Sequence, residues 1–376
     1  MRPVDLPGNG PPGRLPPTDT DMTQSNRFLQ LLAERDVLLA DGATGTNLFA
    51  MGLQTGDAPE LWNTAHPERI TAHYSSFVAA GSDIVLSNSF GGNRYRLALH
   101  GAQDRVAELN RAAASLCRAV ADGASRPVAV AGSMGPTGEI FAPLGELSHA
   151  DAVAAFAEQA QALAAGGADV LWIETLSSRE EFAAAVEGAA QADLPIVCTM
   201  SFDTNGRTMM GVAPGELMAL ADGIQPQLHA CGTNCGVGAA ETVMAILNMV
   251  DAQTRPGEHL LVAKANCGIP EYVDGEIVYN GTPELMADYA RLARDAGARI
   301  IGGCCGTTPA HVAAMRVALD TCPRAAKPDA KAVVAALGDI SSGARAQARG
   351  ELDVAAGSAS GKSRQRGGRR GRRGDT

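Results

Sequence analysis

Eight short apolar runs, separated by segments with helical spacing, limit what this 376-residue chain can fold into. The runs cover residues 37–41, 83–87, 127–131, 169–174, 195–199, 227–231, 260–264 and 299–303. Each run is apolar on both faces, which is typical of parallel strands buried between a core and covering helices. The intervening segments 66–81 and 104–123 place their apolar side chains on one helical face.

This alternation predicts the fold class. Eight strand-helix units in about 300 residues indicate an α/β protein built as a (β/α)8 TIM barrel. In such a barrel the functional residues lie at the C-terminal ends of the strands, where the chain leaves each strand for the next helix. A doubly wound open sheet is the structural alternative that the same pattern allows.

Composition divides the chain into three parts. Residues 1–23 are rich in proline and glycine, residues 326–376 are dominated by alanine, glycine and arginine, and both segments are predicted to be disordered. Residues 24–325 remain for the barrel. No apolar run approaches the roughly 18 residues of a membrane helix, and the N-terminus lacks a basic region followed by a hydrophobic stretch. The sequence therefore predicts a cytoplasmic protein that does not contact a membrane.

The net charge of −10 is unevenly distributed. Residues 361–376 hold seven Lys or Arg against Asp375 alone, so this segment carries +6 and the remainder about −16, from −10 minus +6. A body this acidic argues against nucleic-acid binding. The Arg-Gly tail supplies one hypothesis of another class, a weak and salt-sensitive association with RNA, although it contains no aromatic residue for stacking.

Three cysteines stand where strands end. Cys304 and Cys305 follow the last apolar run between Gly303 and Gly306, and Cys235 ends the sixth predicted strand. Successive side chains on a strand point to opposite faces, so two adjacent thiols reach one centre only where glycine lets the backbone leave strand geometry. Three thiolates on one rim predict a zinc site (Zn²⁺) with one open position.

Other uses of the cysteines stay open at this point. Cys267 or Cys231 could complete a closed structural site with four thiolates. The thiols could also be oxidised or only packed, and the adjacent pair could serve a redox sensor without turnover. Eight irregularly spaced cysteines are too few for a secreted disulfide framework, which agrees with a reducing compartment.

Two further features lie at the same predicted rim. The loop after the first strand consists of Asp41, Gly42, Ala43, Thr44 and Gly45, whose backbone N–H groups could turn toward a bound anion. Glu174 ends the fourth apolar run, and a buried carboxylate there needs a cationic partner. That partner is either an ammonium group of a ligand or a basic side chain of the protein.

Residues 41–46, 232–235 and 302–309 resemble three signatures of the homocysteine S-methyltransferase family, in the family's order. That family includes betaine-homocysteine methyltransferase and the homocysteine module of cobalamin-dependent methionine synthase. The resemblance covers about 36–318 of the chain. It implies a barrel whose zinc is held by Cys235, Cys304 and Cys305, with the homocysteine sulfur as exchangeable ligand. It also implies that Glu174 receives the amino group, and that the 41–45 loop and Asn234 bind the amino acid.

The implied reaction is methyl transfer to homocysteine, giving methionine, with the zinc-activated thiolate as the one catalytic group. Betaine is the expected donor, and aromatic faces normally meet its quaternary ammonium. Trp62, Phe90 and Tyr95 are the candidate donor pocket, because Asp57 and Gly91 replace the family's aromatic contacts. S-methylmethionine, another sulfonium or a corrinoid-borne methyl group are the alternative donors. An oligomer is compatible with the sequence.

Overall fold

A computed structural model describes residues 26–253, 255, 257, 259–273 and 276–351. Eight parallel strands form one sheet: β1 Leu38–Leu39, β2 Ile84–Leu86, β3 Ala129–Met134, β4 Val170–Leu176, β5 Ile196–Met200, β6 Ala230–Cys235, β7 Leu261–Ala265 and β10 Ala298–Gly303. Strands β8 Pro270–Val273 and β9 Glu276–Tyr279 form an antiparallel hairpin between β7 and β10. The predicted (β/α)8 barrel is confirmed.

The order of the strands closes the sheet on itself. It runs β1-β10-β7-β6-β5-β4-β3-β2, so the last parallel strand returns beside the first, with Leu38 opposite Ile300. A single bridge between Ala40 and Ile84 joins β1 to β2 and nearly completes the barrel. A doubly wound sheet would instead keep two free edges, so this alternative is excluded.

Fourteen α-helices occur in the described part of the chain. They are α1 Arg27–Glu34, α2 Gly45–Ala50, α3 Trp62–Ala65, α4 Pro67–Ala79, α5 Arg94–Ala98, α6 Val106–Asp122, α7 His149–Ala165, α8 Arg179–Ala189, α9 Pro214–Gly223, α10 Ala239–Ala252, α11 Pro283–Ala296, α12 Pro309–Thr321, α13 Ala330–Leu337 and α14 Ser342–Gln347. The predicted helices at 66–81 and 104–123 correspond to α4 and α6. No helix within these ranges has the length and apolar character needed to cross a bilayer.

Helix α1 closes the N-terminal end of the barrel. Phe28 and Leu31 are fully buried and pack with the inward-facing side chains of the strands, Trp172 among them. Asn26 caps the helix by accepting a hydrogen bond from the Leu29 N–H, and its Nδ2 donates to the Asp169 carbonyl at 2.7 Å. Ligands therefore reach the barrel from its C-terminal end.

The chain forms two more helices, α13 and α14, beyond the predicted domain end at residue 325. In α13, Val333 and Leu337 are buried against the outer helices α10 and α11. In α14, the Gly343 N–H donates to Asn205 Oδ1 at 2.7 Å. The prediction of disorder is therefore wrong for residues 330–347, because the few apolar side chains of this segment recur at helical spacing. The predicted N-terminal tail 1–23 and residues 352–376 of the predicted C-terminal tail 326–376, including the Arg-Gly segment, lie outside the described residues.

Replacing Phe28 by alanine should lower the free energy of unfolding by about 3–5 kcal/mol, because the ring fills the barrel end and its removal leaves a cavity. Chemical denaturation measures this loss. Ala33→Ser, on the exposed face of the same helix, is the control and should stay within about 0.5 kcal/mol of wild type. Equal stability of the Phe28→Ala and wild-type proteins would contradict the role given to this side chain.

Candidate metal centre and substrate cavity

Three thiols meet at the C-terminal end of the barrel. Cys235 is the last residue of β6, and Cys304 and Cys305 directly follow β10. Their sulfur atoms all lie within 4.8 Å of one another. Cys235 has a left-handed backbone conformation, with φ of 62°, so its side chain departs from the alternation of the strand. The structure thus brings the three predicted ligands together.

The spacing and chemistry of this trio fit a zinc ion. Around tetrahedral zinc with Zn–S bonds of about 2.3 Å, neighbouring sulfur atoms lie roughly 3.8 Å apart, which agrees with the upper bound of 4.8 Å found here. Thiolates are soft donors that favour zinc over magnesium or calcium. Three protein ligands leave one position for a substrate, as in catalytic zinc sites.

Burial and contact with one another make the three thiols resist ionisation. The hydrogen bond with Cys235 is the first cause that raises the pKa of Cys304, and burial raises it further. The pKa values of Cys235 and Cys305 rise to about 12. For each of these thiols, the hydrogen bond with one neighbouring thiol lowers the pKa, but the other neighbouring thiol and burial raise it by more. A divalent cation would reverse this balance, because it offsets the charge of the thiolates.

Two buried asparagines hold the trio in place. Asn234 Oδ1 accepts hydrogen bonds from the Thr175 N–H at 2.9 Å and Thr199 Oγ1 at 2.7 Å, while its Nδ2 lies 3.9 Å from Cys304 Sγ. Asn266 Oδ1 accepts from the Cys305 N–H at 3.0 Å. Asn234 was expected to bind substrate; the structure buries it completely and gives it contacts that position the site.

The two rivals for a fourth ligand lie apart from the trio. The Cys267 thiol donates to the Gly281 carbonyl at 3.3 Å, and Cys231 is fully buried within β6. Neither belongs to the cluster of thiols that could hold an ion. The geometry therefore favours an open centre with three thiols. All eight cysteines are free.

A cavity of about 530 Å³ extends from the thiols to the surface. Small-molecule sites span roughly 300–1,000 Å³, so this cavity can hold two small substrates together. Its inner end contains the buried side chains of Glu174, Lys264 and Ser133. Its mouth contains the exposed side chains of Phe49, Phe90, Arg96 and His100.

Glu174 supplies a carboxylate to the inner end. The side chain is 7% exposed, and its Oε1 accepts a hydrogen bond from Ser133 Oγ. Burial raises the pKa of Glu174, against the opposing effects of Lys264 and Ser133. Among the described residues no basic side chain forms a direct ion pair with it. An ammonium group on a ligand would therefore be a favourable partner.

The loop after β1 forms another wall. Gly42, Ala43, Thr44 and Gly45 line the cavity, whereas Asp41 lies buried beneath it. A Cβ on Gly42 would lie 2.6 Å from the Thr307 carbonyl oxygen, so only glycine fits this close approach. The Ala43 N–H already donates to the same carbonyl at 3.0 Å. The loop thus lines the same cavity as Glu174. Its Ala43 N–H is not available to a ligand, because it already donates to the Thr307 carbonyl.

Sequence reasoning missed a buried ion pair below the cavity. Lys264 Nζ lies 2.8 Å from Asp41 Oδ1, and both side chains are at most 2% exposed. The Leu86 N–H donates to the second carboxylate oxygen of Asp41 at 2.7 Å. Burial lowers the pKa of Lys264, but Asp41 and Glu174 outweigh it and raise the pKa overall. One ammonium therefore stands between two carboxylates, which leaves a negative charge for a ligand ammonium.

The three predicted donor residues are not brought together. Phe90 lines the cavity. Trp62 instead packs against Arg69, whose Cζ lies 4.9 Å from the centre of the Trp62 ring. The same ring packs edge-on against His66. Tyr95 packs against a separate apolar cluster that includes Leu147. Within the described ranges, the aromatic rings at the cavity are Phe90 and the unexpected Phe49.

Glu60, Arg96 and His100 also line the cavity and were not predicted. They lie in loops and short helices after β1 and β2, where no periodic pattern marks a side chain as facing the barrel mouth. Lys264 did leave a signal. It is a lone charge at the end of the apolar run 260–264, and a buried lysine requires a charged partner.

The rim of this (β/α)8 barrel combines three thiols that could hold a metal ion with a buried carboxylate in the same cavity. Residues 38–319 match the family model described as homocysteine S-methyltransferase, and the chain belongs to that family. The homocysteine methyltransferase MmuM from Escherichia coli, in its metallated form, is 28% identical, with a TM-score of 0.63. The match covers 78% of this chain and 99% of that one.

Curated relatives are longer than this chain. The methionine synthase of Mycobacterium tuberculosis (strain ATCC 25618 / H37Rv) is 30% identical over 311 residues, which cover 78% of this chain and 25% of that protein. The methionine synthase of Mycobacterium leprae (strain TN) is 28% identical over 320 residues, covering 81% and 25%. The chain therefore spans about a quarter of the length of these relatives.

Cys304→Ala should abolish stoichiometric zinc binding, because two thiols cannot replace the chelation by three. Zinc content after reconstitution and desalting measures this. Cys267→Ala is the matched control, since this thiol lies nearby but bonds to a carbonyl, and it should retain the metal. Full zinc occupancy in the Cys304→Ala variant would exclude the trio as the metal centre.

Lys264→Met should lower the free energy of unfolding by about 3–5 kcal/mol, since it leaves Asp41 as a buried charge without its partner. The double variant with Asp41→Asn removes that charge and should recover part of the loss. Chemical denaturation of the wild type and the two variants tests this. Equal losses in the single and double variants would show that charge pairing is not the cause.

Proposed function

We propose that the protein is a zinc-dependent homocysteine S-methyltransferase that forms methionine, with betaine as the methyl donor. The observation that carries this proposal is the position of Cys235, Cys304 and Cys305 in one cavity with Glu174. Thiol ligands and a buried carboxylate match the two ends of homocysteine, its sulfur and its ammonium. Eight free cysteines suit a cytoplasmic location, where thiols stay reduced.

The residues of the cavity have distinct tasks in this reaction. Cys235, Cys304 and Cys305 would hold the zinc ion, which when bound supplies the positive charge that keeps a substrate thiol deprotonated near neutral pH. Glu174 fixes the amino group of homocysteine, and the loop 42–45 confines its backbone. The enclosed inner end excludes water, so the reacting sulfur and methyl carbon meet in a fixed orientation.

The transfer itself needs no further acid or base. The thiol proton leaves to solvent when homocysteine binds. The sulfur electron pair then forms the new C–S bond while a C–N bond of betaine breaks, and the nitrogen keeps that bonding pair as dimethylglycine leaves. Phe49 and Phe90 offer aromatic faces for the quaternary ammonium, and the buried Glu60 adds a negative charge.

A second candidate keeps homocysteine but changes the donor. This candidate uses a corrinoid-borne methyl group, and its support is the similarity to proteins named methionine synthase, of which this chain spans a quarter. S-methylmethionine or another sulfonium is the third source. Methionine formation from homocysteine by the zinc-loaded protein, measured with each donor in turn, separates these candidates. No product from betaine, together with product from another donor, would replace betaine in the proposal.

Glu174→Gln should raise the KM for homocysteine about 10- to 100-fold, because a charge-assisted hydrogen bond to the ammonium is lost. Zinc content should not change. Glu180→Gln, an exposed position at the start of α8, is the control. An unchanged KM in Glu174→Gln would contradict the role given to this carboxylate.

The same carboxylate predicts a pH dependence. Burial raises the pKa of Glu174, so its ionised form is lost at a higher pH than for an exposed glutamate. Homocysteine affinity should therefore fall as the pH drops through this raised pKa, and Glu174→Gln should lack that decline. Equilibrium binding of homocysteine to the zinc-loaded proteins across the acid range measures both curves. Parallel curves would contradict the assignment.

A further inference from the structure

The mouth of the cavity carries charges that homocysteine binding does not use. Homocysteine at the inner end would use the thiols, Glu174 and the loop after β1. The remaining wall contains four charged or titratable side chains and two aromatic rings: Asp57, Glu60, Arg96, His100, Phe49 and Phe90. Under the proposed function the second substrate would lie against this wall, because the wall lies between the thiols and solvent.

Arg96 presents an unused guanidinium to this wall. It lies on α5 and lines the cavity, and its guanidinium forms no ion pair or hydrogen bond with another described residue. Its neighbour Arg94 differs, because it pairs with Glu158 at 2.7 Å on the outer surface. A guanidinium has a planar fork of donors that matches a carboxylate, so an unpaired one at a cavity is suited to an anionic group.

Gly138 makes room for the Arg96 side chain. A Cβ at Gly138 would lie 3.1 Å from Arg96 Nη1 and 3.5 Å from its Cδ. Gly138 also has a φ of 82°, which an L side chain rarely adopts. The Arg96 side chain therefore extends from α5 to the loop after β3, and it also lines the cavity.

Glu60 places the opposite charge on the same wall. It is 5% exposed, and its Oε1 accepts a hydrogen bond from the Gly91 N–H at 2.7 Å. Burial raises the pKa of Glu60, while Arg96 and His100 are close enough to oppose that rise. The wall therefore carries a buried acid and an exposed base within electrostatic reach of each other.

Because Arg96 and Glu60 line one cavity, a ligand that contacts both should carry a negative and a positive charge. We propose that Arg96 binds the carboxylate of the methyl donor while Glu60 faces its onium centre, so that donor selection requires a small zwitterion. This inference rests on the proposed function and adds the residue that selects the donor. Phe49 and Phe90 then contact the methyl groups. A cation without a carboxylate would lose the contact with Arg96.

Steady-state kinetics of the zinc-loaded enzyme test the proposal. Arg96→Gln should raise the KM for betaine about 10- to 100-fold, the effect of losing a charge-assisted contact, and leave the KM for homocysteine unchanged. Arg96→Lys should recover part of the betaine affinity. Arg94→Gln, two residues away on the same helix, is the matched control and should behave as wild type. An unchanged betaine KM in Arg96→Gln would overturn the inference and leave the proposed function intact.

A binding experiment separates this inference from turnover. Calorimetric titration of dimethylglycine into the zinc-loaded protein saturated with homocysteine measures the donor subsite without methyl transfer. Wild type should bind dimethylglycine, Arg96→Gln should bind it about 10- to 100-fold more weakly, and trimethylamine, which lacks the carboxylate, should bind both proteins equally poorly. Equal dimethylglycine affinity in the two proteins, or no binding by wild type, would overturn the inference. Absence of methionine formation from betaine by wild type would instead refute the proposed donor.

Discussion

The site depends on the convergence of three thiols that regular strands would keep apart. Side chains alternate across a strand, so a thiol at the end of β6 and two adjacent thiols after β10 meet only where the backbone leaves strand geometry. Cys235 does so with a φ of 62° and Thr175 with 66°, at a cost of about 1–3 kcal/mol each. Asn234 stabilises this arrangement, because its Oδ1 accepts a hydrogen bond from the Thr175 N–H and its Nδ2 lies 3.9 Å from Cys304 Sγ.

Much of the barrel and the meeting of its three thiols could be predicted from the sequence, because both follow from the alternation of strands and helices. Apolar runs alternate with helical segments, and the rim of a parallel barrel collects whatever follows each strand. The sixth apolar run, 227–231, nevertheless differs from β6, which spans Ala230–Cys235. Gly232, Thr233 and Asn234 lack the apolar pattern that marks a buried strand, but the barrel interior supplies hydrogen-bond partners that stabilise this polar strand end.

The side chains at the mouth of the cavity could not be predicted in the same way. The chemistry of Trp62 and Tyr95 and their nearness in sequence predict a donor pocket, but the short helices α3 and α5 that carry them direct them to other packing partners. Phe49, Glu60 and Arg96 reach the cavity from separate loops and short helices, whose paths depend on loop length and local contacts. The helices at 330–347 escaped prediction for a related reason, since only a few apolar residues in an alanine-rich segment mark their buried face.

The closure of the barrel by α1 has a kinetic consequence. With Phe28 and Leu31 sealing the far end, everything enters and leaves through the mouth. Under the proposed function, homocysteine occupies the deep position and the donor covers it. A donor that binds first would therefore block the entry of homocysteine. The spent donor must likewise depart before methionine. A blind-ended chamber of this kind imposes a compulsory sequence of arrival and release.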